Sequence, residues 1–363
     1  GVRLVGSEMC IRDRIMPKPP LLLAGEHHGR DHKPYRPSDA LRAAANAALH
    51  LQTPLLLAGE PGCGKTDFAW YAARALARAI GETDSEKALP LECYIHSDTG
   101  AADLLYHYDA MARFANAQPG SDEQKRSDPR HYITLEPLGV ALMSTKRRVL
   151  LIDEIDKAPR DLSNDLLREM DQGHFVIPEI PRHLTDAFPD PNERSILLQR
   201  EMKRQPLPKP LVIVTSNAER QLPEAFLRRC VYFYITFPQH AALIKILEDR
   251  LLYPEPPNDY TPAVATDLQQ RQRLIQAGAS LAEGIRDSSA RLSKRPGTAE
   301  IIGWLRTLID LGSQEDQRKL LTLDEAYQRK VKVSWKDLPG LHCLVKLKED
   351  LKTLGYLTPE VAP

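Results

Sequence analysis

The stretch LLLAGEPGCGKT, residues 55–66, decides how this sequence folds, because an apolar run leads directly into a glycine-rich loop. The loop fits the pattern G-x-x-x-x-G-K-[ST], in which glycines let backbone N–H groups converge on phosphate oxygens. Lys65 is predicted to reach the outer phosphates of a nucleotide, and Thr66 is predicted to bind Mg²⁺. The predicted nucleotide-contacting residues of this segment are Gly59, Pro61, Gly62, Cys63, Gly64, Lys65, Thr66 and Asp67.

The residues that follow the loop recur at helical spacing. Apolar side chains at 68, 69, 71, 72, 75, 76, 79 and 80 fall on one face of an amphipathic helix, whose positive end faces the loop. The order strand, loop, helix is the context that the phosphate-binding pattern requires. It disfavours the alternative of a chance match in an ordinary glycine-rich turn.

The hexapeptide LLLAGE also occurs at residues 21–26, where it runs on into HHGRDH. This first copy lacks both the glycine spacing and the lysine, so it carries no phosphate-binding signal. His27, His28 and His32 would suit a metal ion, but no helical or strand spacing aligns them. We therefore expect a solvated polar loop at this place.

Length and composition limit the class of protein. With 363 residues the chain is long enough for two or three domains, and 49 basic residues balance 49 acidic ones. This balance gives no overall attraction to nucleic acid or to anionic membranes. Five cysteines without CxxC spacing indicate reduced thiols, and no apolar run is long enough to cross a bilayer, so we expect a soluble cytoplasmic protein.

Strand and helix patterns divide the chain into parts. Residues 1–15 lack periodicity and precede Met16, so we interpret them as a non-native leader; the alternative is a genuine short extension. Residues 16–238 are predicted to form an αβα sandwich around a mostly parallel five-stranded sheet, and residues 239–363 an all-helical lid. The strand candidates lie at 54–58, 91–95, 149–152, 211–215 and 231–235, the insertions at 98–133 and 175–210, and the later helices at 241–252, 298–311 and 341–354.

Charged and polar residues adjoin three of these strands. RRVLLIDEID, residues 147–156, puts Asp153 and Glu154 after an apolar run, at the sheet edge where the phosphate loop also emerges. Asp153 suits the Mg²⁺ shell, and Glu154 suits general-base activation of the attacking water. Asn217 follows the next strand and either forms a turn or orients that water. Arg228 and Arg229 precede the last strand, where the alternative is a solvated helix end.

This ordered series resembles an AAA+ ATPase. The segments LLLAGEPGCGKT, VLLIDEIDKAPRDLSNDLL and SNAERQLPEAFLRRCVYFYITFP are similar to the MoxR family. The resemblance implies that Asn217 is the sensor-1 residue and that Arg229 is the arginine finger, with Arg228 as the second candidate. It also implies that the insertion at 98–133 is the helix-2 insert and that the one at 175–210 holds the pre-sensor hairpin.

The sequence departs from the family pattern in three places. Cys230 stands where relatives often have Phe, and the hairpin insertion is unusually long. Gly297 follows Pro296 at the position where many relatives carry the lid arginine. Arg295 is therefore our candidate for the sensor-2 residue, with a plain helix N-terminus as the alternative.

The resemblance implies a Mg²⁺-dependent ATPase that binds ATP and forms a homo-oligomeric ring of six. It also implies a protein partner with a von Willebrand A domain, which the ATPase remodels or activates in a chaperone-like role. One rival is a nucleic-acid motor or loader of the same fold, which the basic clusters at 146–148 and 203–204 permit, although no aromatic residues are interleaved with them. The other is a nucleotide-switch scaffold with negligible turnover, which the intact Glu154 disfavours.

Overall fold

The structure is a computed structural model that describes residues 27–30, 33–82, 84–116, 128–203, 209–252, 262–287 and 292–357. The predicted leader at 1–15, the first LLLAGE copy and His32 lie outside the described residues. His27–His28 form strand β1, which pairs antiparallel with strand β2, Pro34–Tyr35. A short hairpin therefore replaces the loop that was expected at these two histidines, because their backbone groups pair with a second strand.

Five parallel strands form the central sheet, which confirms the predicted αβα class and makes the sheet wholly parallel instead of mostly parallel. The strand order across the sheet is β11-β3-β10-β7-β4. The elements of this part of the chain are α1 (Asp39–Leu51), β3 (Leu55–Gly59), α2 (Lys65–Ala79), β4 (Leu91–Tyr94), β5 (Tyr106–Tyr108), α3 (Ala110–Asn116), β6 (Ile133–Leu135), α4 (Pro137–Met143), β7 (Val149–Asp153), α5 (Arg160–Gln172), β8 (His174–Val176), β9 (Glu201–Lys203), β10 (Leu211–Ser216), α6 (Glu224–Leu227) and β11 (Val231–Ile235).

Apolar residues on both faces of the strands explain the layered architecture. Strand β3 is buried at every position, as expected for a parallel strand between two helix layers. Leu55 and Leu57 pack with α1 and α2, while Leu56 packs on the opposite face with α4 and α5. The alternation follows from the two-residue period of a strand.

The register of the sheet brings three strand ends together. Ser216 of β10 lies beside Ala58 of β3, and Val214 lies beside Ile152 of β7. The phosphate loop, the Asp153–Glu154 pair and Asn217 therefore leave the sheet at one edge, which we call the carboxyl edge. The opposite edge, where β3 and β11 begin, is called the amino edge.

The two insertions pack against each other beside the sheet. Strands β5 and β6 form one antiparallel pair, and β8 and β9 form another. Arg130, whose side chain is only 2% exposed, donates to Asp128 at 2.7 Å and to Asp186 at 2.9 Å. Burial raises the pKa of Asp128, but the hydrogen bonds from Arg130 outweigh this effect and hold that pKa below its usual value. The buried Asp190 carboxylate also accepts from the Leu135 amide at 2.8 Å.

The C-terminal helical region, residues 240–357, has its own apolar core around Trp304. Its helices are α7 (His240–Leu251), α8 (Pro262–Arg286), α9 (Thr298–Asp310), α10 (Gln314–Gln328), α11 (Leu341–Leu344) and α12 (Lys348–Thr353). Helices α8 and α10 lie in the region predicted to be all-helical but were not predicted individually. The helix predicted at 341–354 is divided because Val345 is extended and buries its side chain. The domain boundary at 238/239 stays a prediction. Among the helices described, none combines the length and apolar character needed to cross a membrane.

Candidate active site

The phosphate loop has the backbone shape that its glycines allow. Gly62 and Gly64 have φ angles of 76° and 90°, in the left-handed region that favours glycine. A Cβ atom on Gly64 would lie 3.2 Å from the Tyr35 ring, so the loop passes close to the hairpin β1–β2. Gly64 is also the N-cap of α2, whose first-turn N–H groups are free to face an anion.

Lys65 is folded back onto its own loop. Its side chain donates from Nζ to the Gly59 carbonyl at 2.9 Å and to the Glu60 carbonyl at 3.1 Å. The residue is 7% exposed, so the ammonium group is held by these acceptors and not by bulk water. Phosphate oxygens would offer charged acceptors in place of two neutral ones, and such hydrogen bonds are stronger.

Asp153 lies at the centre of a group of oxygen atoms. Thr66 Oγ1 donates to the Asp153 carboxylate at 3.3 Å, and Thr215 Oγ1 donates to it at 2.5 Å. In the described residues no group of three or more His, Cys, Asp or Glu side chains is placed to hold a metal ion. One carboxylate and one hydroxyl fit Mg²⁺, which takes few protein ligands and fills its octahedron with water and phosphate oxygens.

Glu154 is held on both oxygens beside this group. Asn217 Nδ2 donates to Glu154 Oε1 at 3.3 Å, and Lys157 Nζ donates to Oε2 at 2.6 Å. The backbone of Glu154 is in the left-handed region, with φ 59°, and its N–H donates to Thr215 Oγ1 at 2.9 Å. A non-glycine residue in this conformation costs about 1–3 kcal/mol, and such residues cluster at functional sites.

Two residues that were not predicted hold this edge together. Thr215 connects Asp153 to the Glu154 backbone, as described above. The buried Asp156 accepts from the backbone N–H of Asn217 at 3.2 Å and of Glu219 at 3.1 Å, which fixes the turn after β10. Asp156 lies inside the quoted stretch RRVLLIDEID, and its place beside Asp153 and Glu154 was the available signal. Thr215 is the last residue of the predicted strand 211–215 and had no signal of its own.

Asp67 and Cys63, two further residues of the predicted nucleotide site, interact with nearby charged groups. The Asp67 carboxylate pairs with Arg250 of α7, and it also accepts from the Arg30 amide at 3.4 Å. Burial raises the pKa of the Cys63 thiol, although the nearby Lys65 acts in the opposite direction. Contacts of Asp67 and Cys63 with a nucleotide stay predictions.

Arg228 and Arg229 lie at the amino edge, just before β11. Val231 pairs with Leu55 and Ile235 pairs with Gly59, so four strand steps separate this edge from the phosphate loop. At the rise of a strand these steps span about 13 Å. Arg228 pairs with Glu224 at 2.5 Å, whereas the exposed Arg229 guanidinium has no ion pair or hydrogen bond within the described part of the chain.

The C-terminal helical region approaches the phosphate loop at the start of α9. A Cβ atom on Gly297 would lie 2.7 Å from the Pro61 carbonyl oxygen, so no larger residue fits there without a shift. This close approach explains why glycine stands at position 297. Arg295 is exposed, and its sensor-2 role stays a prediction. Arg286, which was not predicted, reaches the loop instead, with Nη2 3.0 Å from Glu60 Oε2.

A family model matches the segment of the chain that holds this site. Residues 54–230 match the family model of the AAA domain, dynein-related subfamily. Two crystal structures of NtrX from Brucella abortus, in complex with ATP and with ADP, are similar over 78% and 79% of this chain, with 14% and 15% sequence identity and TM-scores of 0.36. The match spans about half of each NtrX chain, 51% and 53%. No curated protein matches the chain. With its phosphate loop, its wholly parallel sheet and this family match, the segment 54–230 has the AAA+ P-loop fold.

Proposed function

We propose that this chain hydrolyses ATP with Mg²⁺ and uses the reaction to remodel or activate a partner protein. The observation that supports the chemistry is the linked set at the carboxyl edge. Thr66 and Thr215 both hydrogen-bond to Asp153, and Asn217 holds Glu154. Phosphoryl transfer needs few groups beyond a phosphate cradle, a metal site and a residue that activates or orients water.

Each residue of this edge has a role in the proposed reaction. The loop amides bind the phosphates, and Lys65 exchanges its two carbonyl acceptors for phosphate oxygens. Thr66 and Asp153 would hold Mg²⁺, and the ion would supply positive charge beside the transferring group. Glu154 takes a proton from the attacking water while Asn217 keeps the carboxylate in place.

Assembly and partner are proposed from the MoxR resemblance. AAA+ proteins are typically oligomeric, and we propose a cytoplasmic ring of six in which Arg229 of a neighbouring subunit completes each site. The distance of Arg229 from its own phosphate loop supports this shared site, because the residue lies at the other edge of the sheet. A partner with a von Willebrand A domain and a chaperone-like role complete the proposal.

The nucleic-acid rival has less support from the charges on the surface. Lys146 of the first basic cluster pairs with Glu82 at 2.8 Å, and Lys203 of the second pairs with Glu201 at 2.7 Å. Lysines already paired with carboxylates gain less from a phosphate backbone, because the existing partner must be displaced. Stimulation of the ATPase by DNA that falls steeply with salt would favour the rival.

Phosphate release from ATP, with and without Mg²⁺, tests the proposed function. Wild-type protein should release phosphate only with Mg²⁺, and Lys65→Ala should lose tight ATP binding because the outer phosphates lose their fixed cation. Lys245→Ala, a change at an exposed lysine of α7, is the matched control. Near-normal ATP affinity of Lys65→Ala would refute the assignment of the loop. If the wild-type protein binds ATP tightly but releases no phosphate, the result would favour the nucleotide-switch scaffold.

A further inference from the structure

Arg286, the last residue of α8, connects the C-terminal helical region to the phosphate loop. Its guanidinium forms an ion pair with Glu60 at 3.0 Å, across 226 positions of sequence. Glu60 is the residue directly after Gly59, inside the loop itself. The contact therefore joins the phosphate loop to a helix that the nucleotide-binding motifs do not include.

The surroundings of Arg286 are built to hold a guanidinium. The side chain is 7% exposed and lies over the Phe237 ring, with Cζ 3.7 Å from the ring centroid. The Pro296 carbonyl accepts a further hydrogen bond from Nη1. A planar guanidinium can stack and donate in two directions at once, which a lysine cannot do. Removal of the Glu60 carboxylate is costly because the buried Arg286 guanidinium is left without its charged partner.

The Pro296 contact positions the start of α9 on the phosphate loop. Pro296 precedes Gly297, which lies against the Pro61 carbonyl as described above. Two residues further along α9, the Ala299 Cβ would lie 2.9 Å from a Cβ atom on Gly62. The turn before α9 is fixed from the other side, since the buried Asp350 accepts from the Ser293 amide at 2.7 Å. With contacts this close, a shift of the loop requires a shift of α9.

Glu60 links the same contact to Lys65. Its carbonyl accepts from Lys65 Nζ at 3.1 Å, while its carboxylate accepts from Arg286. A nucleotide that draws Lys65 onto its phosphates removes one of these two bonds and leaves the other. Glu60 therefore loses its hydrogen bond to Lys65 while it stays paired with Arg286.

We propose that Arg286 is a positioning residue that couples the C-terminal helical region to ATP through Glu60. The Arg286–Glu60 pair keeps the phosphate loop in the shape that receives ATP. When Lys65 leaves the Glu60 carbonyl for a phosphate, the resulting movement of Glu60 shifts Arg286, and Arg286 shifts Pro296 and the start of α9. This inference rests on the proposed ATPase function and adds to it the route by which a bound nucleotide moves the helical region.

The first test is a double-mutant cycle on ATP affinity and turnover. Glu60→Gln, Arg286→Met and the double variant are titrated with ATP and Mg²⁺, and KM and kcat are measured. Each single variant should bind ATP about tenfold more weakly, because Arg286→Met removes the donor and Glu60→Gln removes the charge of the acceptor, with KM affected more than kcat. The double variant should be no weaker than the single ones. Arg306→Met, at an exposed arginine of α9, is the matched control.

The second test measures amide hydrogen exchange at residues 294–300 with and without ATP. ATP should slow exchange there in the wild type and in Arg306→Met, and this effect should be absent in Glu60→Gln. A merely structural role would change exchange with and without ATP alike. If Arg286→Met does not fold, Glu60→Gln decides, because the Glu60 side chain is 43% exposed and its loss leaves the core intact.

The outcomes separate the two proposals. A wild-type protein that does not bind ATP overturns the proposed function and, with it, the coupling. A wild-type protein that binds ATP, together with a Glu60→Gln variant of equal affinity and an equal ATP effect on exchange, overturns the coupling alone. Additive losses of affinity in the double variant contradict the direct pair.

Discussion

The two edges of the central sheet hold their charged residues in different ways. At the carboxyl edge Asp153 accepts from two threonine hydroxyls, and Glu154 is held on both oxygens. At the amino edge Arg229 is exposed and has no such partner within the described residues. Side chains that are fixed by internal hydrogen bonds are preorganised for chemistry within their own chain. An exposed arginine without a partner can bind an anionic group of another molecule. This difference is what the proposed division of the site between neighbouring subunits requires.

Substitution of Arg229 should have the largest effect on turnover. An arginine supplied from a neighbour is worth about 10³–10⁵ in rate, because it stabilises charge on the transferring phosphoryl group. Arg229→Ala should therefore lose most of its ATPase activity and still bind ATP, as measured by steady-state phosphate release and by ATP titration. Arg228→Ala should lose less, since Arg228 is already paired with Glu224.

Mixing two inactive variants tests whether the edges of different subunits meet. Arg229→Ala keeps an intact phosphate loop, and Lys65→Ala keeps an intact arginine. After subunit exchange some boundaries join the two intact halves, so ATPase activity should return. With mixed rings verified by mass, no recovery at any mixing ratio would mean that Arg229 acts within its own subunit or that every site of the ring must be competent.

The same contrast explains what could be predicted from the sequence. Lys65, Asp153, Glu154 and Asn217 each follow a recognisable apolar strand, and parallel strands end at one edge, so the class of fold and the composition of this edge were accessible. The parallel register that joins Thr215 to Asp153 was not, because a threonine at the end of an apolar strand has no pattern of its own.

Long-range contacts were inaccessible for a different reason. Arg286 reaches Glu60 across 226 positions, and Arg130 reaches Asp186 across 56. Each arginine lies in an ordinary helical or loop context, and its partner is determined only when helices and insertions have packed. The exposure of Arg295 could not be predicted for the same reason. Arg295 lies two residues before Gly297, and the close approach of Gly297 to Pro61 depends on how the whole helical region packs.

Glu154→Gln should have the second-largest effect on turnover, and it tests the carboxyl edge. The amide keeps the size of the side chain and leaves Asp153 untouched, but it cannot act as the base, which is worth about 10²–10⁴ in rate. ATP binding and assembly should persist while phosphate release falls. Glu219→Gln, at an exposed glutamate of the same edge, is the control. A Glu154→Gln variant with parental turnover would show that another group accepts the proton.

Replacement of one threonine at each edge compares what their hydroxyl groups contribute to the free energy of unfolding. Thr215 is buried and hydrogen-bonded to both Asp153 and the Glu154 amide, so Thr215→Val should lower the free energy of unfolding by about 1–3 kcal/mol. Thr53, before β3 at the amino edge, has a buried Oγ1 without a hydrogen-bond partner among the described residues. Thr53→Val should therefore be neutral or stabilising. Equal losses in urea unfolding for both variants would contradict the view that the hydrogen bonds of Thr215 stabilise the carboxyl edge.

The smallest effect concerns backbone conformation at the two edges. Ala218, next to Asn217, and Gln52, at the end of α1, are both left-handed, with φ 59° and φ 55°. Glycine adopts this region without strain but loses more entropy on folding, so each change to glycine should raise the free energy of unfolding by only about 0.5–1 kcal/mol.

The two glycine variants should differ in activity. Ala218→Gly frees the turn that positions Asn217 against Glu154, so phosphate release should slow although the protein is more stable. Gln52 and Arg229 line the same cavity at the amino edge. Gln52→Gly leaves the Arg229 side chain unchanged, so turnover should stay at the wild-type value. Urea unfolding and phosphate release on the same preparations give both quantities. If the two variants gain stability and keep full activity alike, the left-handed turn after β10 terminates a strand and does nothing for Asn217.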